Sequence, residues 1–488
     1  MALDEQLKKA QSLLDNGEIL GAIKIFKNLL PYLQNDITFL NVLGTSYFRI
    51  KETEEGIKIL KRAYSLDPKN ISILYNLGKV YLDRKDFLKA KKYLSSALKY
   101  DLDNILILNA YGKVLVHFGK FDKARDLFLK ALKVNPSYAI AHSNLGLLFQ
   151  ERKEYLKAIK SYDRAISLEP CYTEAYWNKA ILKLLLGEFE EGWKLYESRL
   201  KRGNLKHKYK IFDESKSWRG EKKIVGKTLL IFGEQGFGDV IQFSRYIPLL
   251  DKFNCKIILY VKKELVNLLE TLGKSVTVIG MHNPIPQHDF NCPIMSLPLV
   301  FKTNISNIPN QVPYLRVSET KEKFWQKKIG KTNNLKIGVV FSGSINHMRD
   351  SFRSINFEKF QTLFENIYSA EFHSLMTDYR DSDKKFIKNS NFLISHEGEL
   401  HDFSDTAALI SSLDIVITVD SVVAHLAGAL NKAVWILLPY NADFRWMEGT
   451  SNSKWYPSAK LFRQKNRSDW SQPIEEINLA LKGFVKVG

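Results

Sequence analysis

Cysteine is scarce in this chain of 488 residues: there are three, Cys171, Cys255 and Cys292. They fall at no metal-binding spacing and form no even set, which excludes a zinc module and a disulfide-stapled secreted scaffold. Long apolar runs are missing too. None approaches the ~20 residues that cross a bilayer, so no integral membrane segment is expected. The opening MALDEQLKKAQSLL has the pattern of an amphipathic helix and lacks a signal peptide's apolar centre and cleavage site. With so little cysteine, a reducing, cytoplasmic location is the expectation. Acidic residues are the minority charge, 53 against 72 basic ones, for a net charge of +19. Such an excess invites a nucleic-acid reading. The lysines, however, are spread along the chain with no concentrated arm, as on solvated helix faces, and attraction for anionic partners follows as a by-product. What is present is an ordinary soluble composition, 45% hydrophobic and 26% charged, with length for about three domains.

The first two hundred residues repeat. Small residues recur at Ala10, Gly44, Gly78, Gly112, Gly146 and Ala180, always 34 apart. A second small series runs Ala22, Gly56, Ala90, Ala124, Ala158 and Gly192, and a bulky one Phe26, Leu60, Leu94, Phe128, Tyr162 and Tyr196, with the same period. Small residues at fixed points let two antiparallel helices approach, and the bulky residue fills the space beside them. The pattern resembles the tetratricopeptide repeat in six copies, an α-solenoid over residues 1–203 with an inner groove for a protein partner. Asn76, Asn144 and Asn178 share one position, while Asn41 and Asn109 lie one residue earlier. They read either as a ladder that hydrogen-bonds an extended peptide or as residues tolerated on a solvated face. Residues 204–226, polar and basic around Trp218, form a connector.

Two α/β halves are expected next, at 227–325 and 326–488. In the first, KTLLIF is a buried strand running into GEQGFGDVIQF, where Gly233, Gly236 and Gly238 permit a tight turn before a helix near Asp239. The glycine spacing is not that of a dinucleotide fingerprint. Asp239, beside Glu234 and Gln235, reads either as a helix cap or as a general base at a cleft mouth. Strands follow at 256–261 and 276–279, then HDFNCPIMSLPLVF as a loop and short helix. In the second half KIGVVF ends in Ser342, Gly343 and Ser344, followed by Arg349 and Arg353, which read either as an anion nest or as a basic loop. A strand at 415–419, the polar pair Asp420 and Ser421, a helix at 422–430 and a strand at 434–438 form a further unit. His425, four residues after Ser421, shares its helix face, and the helix start suits a phosphate. The histidine could equally be plain core, and Asp420 an N-cap. Trp446, Trp455 and Tyr456 read as packing.

Taken in order, GEQGFGDVIQFSRYIP, FSGSINHMRDSFRSI, DTAALISSLDIVITVDSVVAHLAGALNKAVWILLP and DFRWM with WYPS resemble the bacterial tetratricopeptide-repeat glycosyltransferases. Their catalytic half is similar to the lipopolysaccharide heptosyltransferases, and the repeats resemble those of O-linked N-acetylglucosamine transferase. The resemblance spans nearly the whole chain and implies a GT-B pair of Rossmann-like domains. Asp239 matches the family's proposed base; Ser342 and Gly343 match its phosphate turn; Asp420, Ser421 and His425 match its donor motif. Arg353 stands near a family lysine, and the resemblance implies that the first half binds the acceptor, with Glu234, Gln235 and Gln242 on that side. The implied activity is metal-independent transfer of a sugar from a nucleotide-sugar, with no cofactor, to a hydroxyl on a protein such as flagellin or another surface protein. The alternatives are an inactive repeat scaffold and a transferase acting on a glycan or lipid-linked saccharide.

Overall fold

The computed structural model describes residues 3–203, 212–345, 347, 349–364, 367 and 369–487; part of the expected connector, 204–211, lies outside them. The chain forms two compact units, Met1–Lys179 and Ala180–Gly488.

The first unit is a run of antiparallel helix pairs: α1 (Leu3–Asp15) with α2 (Ile19–Leu29), α3 (Ile37–Arg49) with α4 (Thr53–Leu66), and α5 (Ile71–Asp83) with α6 (Phe87–Tyr100). Then come α7 (Ile105–His117) with α8 (Phe121–Val134), α9 (Ala139–Glu151) with α10 (Tyr155–Leu168), and α11 (Thr173–Leu185), which carries the chain across the division. The small and bulky series meet inside each pair. A Cβ on Gly78 would stand 2.5 Å from Leu94, and one on Gly112 would stand 2.4 Å from Phe128. Each bulky side chain occupies the place the missing methyl leaves. Gly112→Val should therefore cost about 1–3 kcal/mol of stability by overpacking, read as a lower melting midpoint with secondary structure retained.

The asparagines of the two registers prove to be partners. Asn76 donates to Asn41 Oδ1 at 2.8 Å and Asn144 to Asn109 Oδ1 at 2.6 Å. Asn178 meets Ser143 Oγ at 3.5 Å. Each bond links the first helices of successive repeats, so the one-residue offset is the geometry of a pair rather than a broken ladder. Asn109 and Asn144 are buried. Asn144→Ala should cost about 1–3 kcal/mol, because the Asn109 amide loses its partner in the interior; urea unfolding measures it.

The second unit begins inside the sixth repeat rather than at 203. Its helix α12 (Phe189–Tyr196) buries Trp193 and Tyr196, and Trp193 makes edge contacts with Phe243, Phe444 and Trp455 at 6.0–6.5 Å. This apolar ridge belongs to the α/β core, which is why the boundary moves. Two parallel sheets follow. The first holds β1 (Thr228–Phe232), β2 (Lys256–Val261), β3 (Val276–Gly280) and β4 (Phe290–Pro293), in the order β3-β2-β1-β4. The second holds β5 (Leu335–Val340), β6 (Ala370–Ser374), β7 (Leu393–Ile394), β8 (Ile415–Val419), β9 (Val434–Leu438) and β10 (Ala459–Arg463), in the order β10-β9-β8-β5-β6-β7. The all-apolar run of β8 is buried at every position, as a strand covered on both faces requires.

Two expectations change here. The segment expected as a loop at HDFNCP contains β4, which pairs with β1 in parallel register, Leu229 opposite Phe290. Its one proline, Pro293, is the last residue of a short edge strand, where a missing N–H costs little. The expected boundary at 325/326 falls inside the helix Glu319–Ile329, which runs through it unbroken.

Candidate functional site

Both sheets reverse direction once, and ligands of doubly wound sheets bind outside the strands' carboxyl ends at that reversal. In the second sheet the reversal lies between β5 and β8. The turns that leave these two strands carry Ser342–Gly343 and Asp420–Ser421. The structure brings the expected residues together there. Arg353 Nη1 donates to the Asp420 carbonyl at 2.8 Å, and a Cβ on Gly343 would lie 2.4 Å from Arg353 Nη2. Glycine at 343 is what lets the guanidinium lie against the turn. The Gly343 N–H donates to Ser354 Oγ at 3.0 Å, and Arg380 braces Ser354 and Asp350. Sequence reasoning missed Arg380, which has no local motif.

Ser421 is the N-cap of the helix Val422–Ala429, and its Oγ accepts from the Val423 N–H at 3.2 Å. The cap alternative considered for Asp420 therefore falls to its neighbour. Asp420 instead accepts from Trp446 Nε1 at 2.9 Å. Burial, with Asp443 close by, pushes its carboxyl up to about 6. His425 is buried, stacks on Trp446 at 5.2 Å and shares a 3.1 Å hydrogen bond through Nδ1 with Tyr456 Oη. Burial, reinforced by Arg445, depresses its imidazole to about 3. The ring is neutral at pH 7, and its ring resonances should stay flat in an NMR titration from pH 5 to 8. Because the folded value lies below the unfolded one, near 6.5, His425 contributes stability above that pH. The contribution is lost as pH falls toward 3.

The helix expected to start near Asp239 starts earlier, at Phe237, and runs to Phe243 with Gly236 as its N-cap. Its turn is made differently from expectation as well. The left-handed residue is Gln235, at φ 58°, and not one of the three glycines. Gly238 serves a close approach: a Cβ there would lie 2.8 Å from His425 Cδ2 and 3.5 Å from Val422 Cα. This helix and Val422–Ala429 are packed against each other, so the turns of the two sheets meet.

Asp239 does act as a cap. One carboxylate oxygen, Oδ2, accepts from the Gly236 N–H at 2.7 Å. The other, Oδ1, is bound by Arg445 Nη2. Arg445 also donates through Nη1 to Asp443 Oδ1 at 2.6 Å, and its guanidinium lies 4.3 Å from the Phe444 ring centre. Burial pushes the Asp239 carboxyl above its ordinary value, against the pull of Arg445 and the Gly236 N–H. Asp443, which burial alone would raise, is held low by Arg445. In the sequence Arg445 lies within DFRWM, without a role of its own. Its local signal was the pair Asp443 and Arg445 two residues apart, on one short turn.

The residues expected on the acceptor side point elsewhere. Glu234 is buried, in a two-pronged ion pair with Arg199 at 2.7 and 3.0 Å, and accepts from the Met295 N–H. Gln242 is fully buried, with both amide atoms lacking a partner among the described residues. Gln235 donates to Tyr196 Oη at 3.2 Å. Arg245, unnoticed in the sequence, donates to the carbonyls of Trp455 and Pro309 and to Tyr314 Oη, tying the two halves together. Among the described residues no group of three or more His, Cys, Asp or Glu side chains is placed to hold a metal ion, and no helix is long and apolar enough to cross a membrane.

Comparison with known proteins bears on the repeats. Two profiles of the family described as Tetratricopeptide repeat match residues 47–113 and 110–172. Protein FlbA of Caulobacter vibrioides is 23% identical over 330 residues, covering 62% of this chain and 54% of its own length. The chain thus spans about half of that relative. A solved tetratricopeptide repeat protein from Parabacteroides merdae ATCC 43184 is 22% identical, over 43% of this chain and 85% of that one, with a TM-score of 0.37. YrrB, described as a TPR protein with an unusual peptide-binding site, is 22% identical over 35% of this chain and 88% of that one, at a TM-score of 0.31. The chain is a tetratricopeptide-repeat array followed by a parallel-sheet α/β region.

Proposed function

We propose that the second unit is a glycosyltransferase of the GT-B kind, which moves a sugar from a nucleotide-diphosphate donor to a hydroxyl. The acceptor is a protein, flagellin or another surface protein, recruited by the repeats. One observation carries the reading. A half-buried carboxylate at the start of the helix after β1 meets an arginine-lined turn, an aspartate, a capped helix start and a neutral histidine after β5 and β8. Those are the elements that a sugar-diphosphate transfer needs. Asp239 takes the acceptor proton as the oxygen attacks the anomeric carbon, and the diphosphate leaves with the electron pair of the broken bond. Arg353 and the helix start at Val422 stabilise the charge that develops on it. His425, neutral, positions rather than protonates.

A second reading draws on one specific contact. Asp239 is neutralised by Arg445, as it would be in a repeat scaffold whose transferase half no longer turns over. A melting screen against UDP-, GDP-, ADP-, CMP- and dTDP-sugars separates the two. A donor at 100 times its dissociation constant adds ~2.7 kcal/mol to stability. A hit with release of the nucleoside diphosphate supports transfer, a hit with no turnover on any acceptor supports the scaffold, and silence overturns the donor site.

A further inference from the structure

For Asp239 to act as a base its pairing must loosen, because each oxygen already accepts one hydrogen bond and the partner of Oδ1 is a guanidinium cation that favours the charged carboxylate. Oδ2 is held by the Gly236 N–H and Oδ1 by Arg445. The two holds differ in kind. The first is a backbone contact inside one turn, fixed with the fold. The second comes from a side chain 206 residues away, on the short turn 443–446 of the other half. Arg445 is over nine-tenths buried, and its Nε has no partner among the described residues. Arg353, whose charge also acts on Asp420 and His425, has a buried Nε with no hydrogen-bond partner among the described residues, 3.7 Å from Asp350 Oδ1 in an ion pair. Two buried guanidinium N–H groups that lack a hydrogen-bond acceptor, near one reversal point, suit an anion with several oxygens. A diphosphate supplies them and binds guanidinium in a two-pronged way that a single carboxylate oxygen does not match.

We propose that Arg445 is a positioning residue that holds Asp239 Oδ1 in the empty protein and passes to the donor's diphosphate when it binds, so that the donor itself frees the base. This rests on the transferase reading above. The Gly236 N–H keeps the carboxylate oriented through the exchange, and Oδ1 is the oxygen that then takes the acceptor proton. Without a donor the base stays paired, which guards against wasteful activation of water.

The test is competition, read with inorganic pyrophosphate by calorimetry at fixed ionic strength. If Asp239 and the anion compete for Arg445, Asp239→Asn binds pyrophosphate roughly tenfold tighter than the wild type, the factor of one ordinary charge-assisted contact. Arg445→Gln binds it at least about tenfold more weakly. In the Arg445→Gln background, Asp239→Asn then changes nothing beyond about twofold. An equal gain from Asp239→Asn in both backgrounds would mean simple charge removal and overturns the proposal, as does an unchanged affinity or no pyrophosphate binding. Should Arg445→Gln fail to fold by its melting curve, Arg445→Lys, which keeps the charge but loses the fork, takes its place with the same expected order. The outcomes separate this from the reading beneath it. Competition for pyrophosphate with no nucleotide-sugar bound keeps the exchange and sinks the transferase; nucleotide-sugar turnover with no competition does the reverse.

Discussion

Asp239→Asn is expected to lower the transfer rate by about 10²–10⁴-fold, the usual contribution of a positioned base. Nucleotide-sugar binding is retained or tightened. The amide has the shape of the carboxylate and keeps an oxygen for the Gly236 N–H, so the turn before the helix should not move. What it loses is the ability to accept the acceptor's proton. The assay is kcat with the donor found by the melting screen, alongside calorimetry of the same donor. A variant that transfers at the wild-type rate would leave Asp239 with only its capping role, worth ~1 kcal/mol of stability.

The largest expected effect on stability lies at the junction between the last repeat helix and the first sheet. Arg199 is wholly buried. Its guanidinium bonds Glu234 at 2.7 and 3.0 Å, Glu197 at 2.5 Å and Ser296 Oγ at 2.8 Å. Arg199→Met leaves the Glu234 carboxylate in the interior with no counter-charge, and breaking a buried pair from one side costs about 3–5 kcal/mol. Arg199 and Arg219 hold Glu197 below its ordinary value against its burial, and the variant removes the first of them. Carboxylates stranded this way titrate higher, so the folded variant takes up protons more readily than its unfolded chain. The loss should therefore be greatest at neutral pH and shrink as pH falls toward 5. Adding Glu234→Gln to Arg199→Met should recover part of it. Melting midpoints at pH 7 and pH 5 check both points, and a shift that corresponds to less than about 1 kcal/mol would show the pair to be dispensable.

The repeats were legible because their constraint is local and recurs. A glycine at one point and a ring or leucine sixteen residues on, as with Gly112 and Phe128, must appear together for the helices to close. The asparagines were half legible. Their types were visible, but the offset looked like noise until the structure joined Asn109 to Asn144 across the repeat. In the α/β region, runs such as Ile415–Val419 identify buried strands by composition alone, while β4 did not, since it ends in a proline and its support comes from β1. The meeting of Gly343, Arg353 and Asp420 was partly foreshadowed, because each lies in a short motif near the end of β5 or β8. Arg445 was not, since its partner Asp239 lies in another half and no spacing connects them. Glu234 misled for the same reason. Beside a glycine turn it read as a site carboxylate, and only the fold reveals the arginine that claims it.

The central claim is that the reversal point between β5 and β8 holds a sugar donor by its diphosphate. The most direct measurement is calorimetry of the nucleotide-sugar that stabilises the wild type, repeated on Arg353→Ala. Arg353 contacts the Asp420 carbonyl and lies against Gly343, so the account predicts that the donor binds the wild type and binds Arg353→Ala at least about tenfold more weakly, with the variant still folded by its melting curve. Undiminished affinity in Arg353→Ala, or no nucleotide-sugar that binds the wild type, would contradict it.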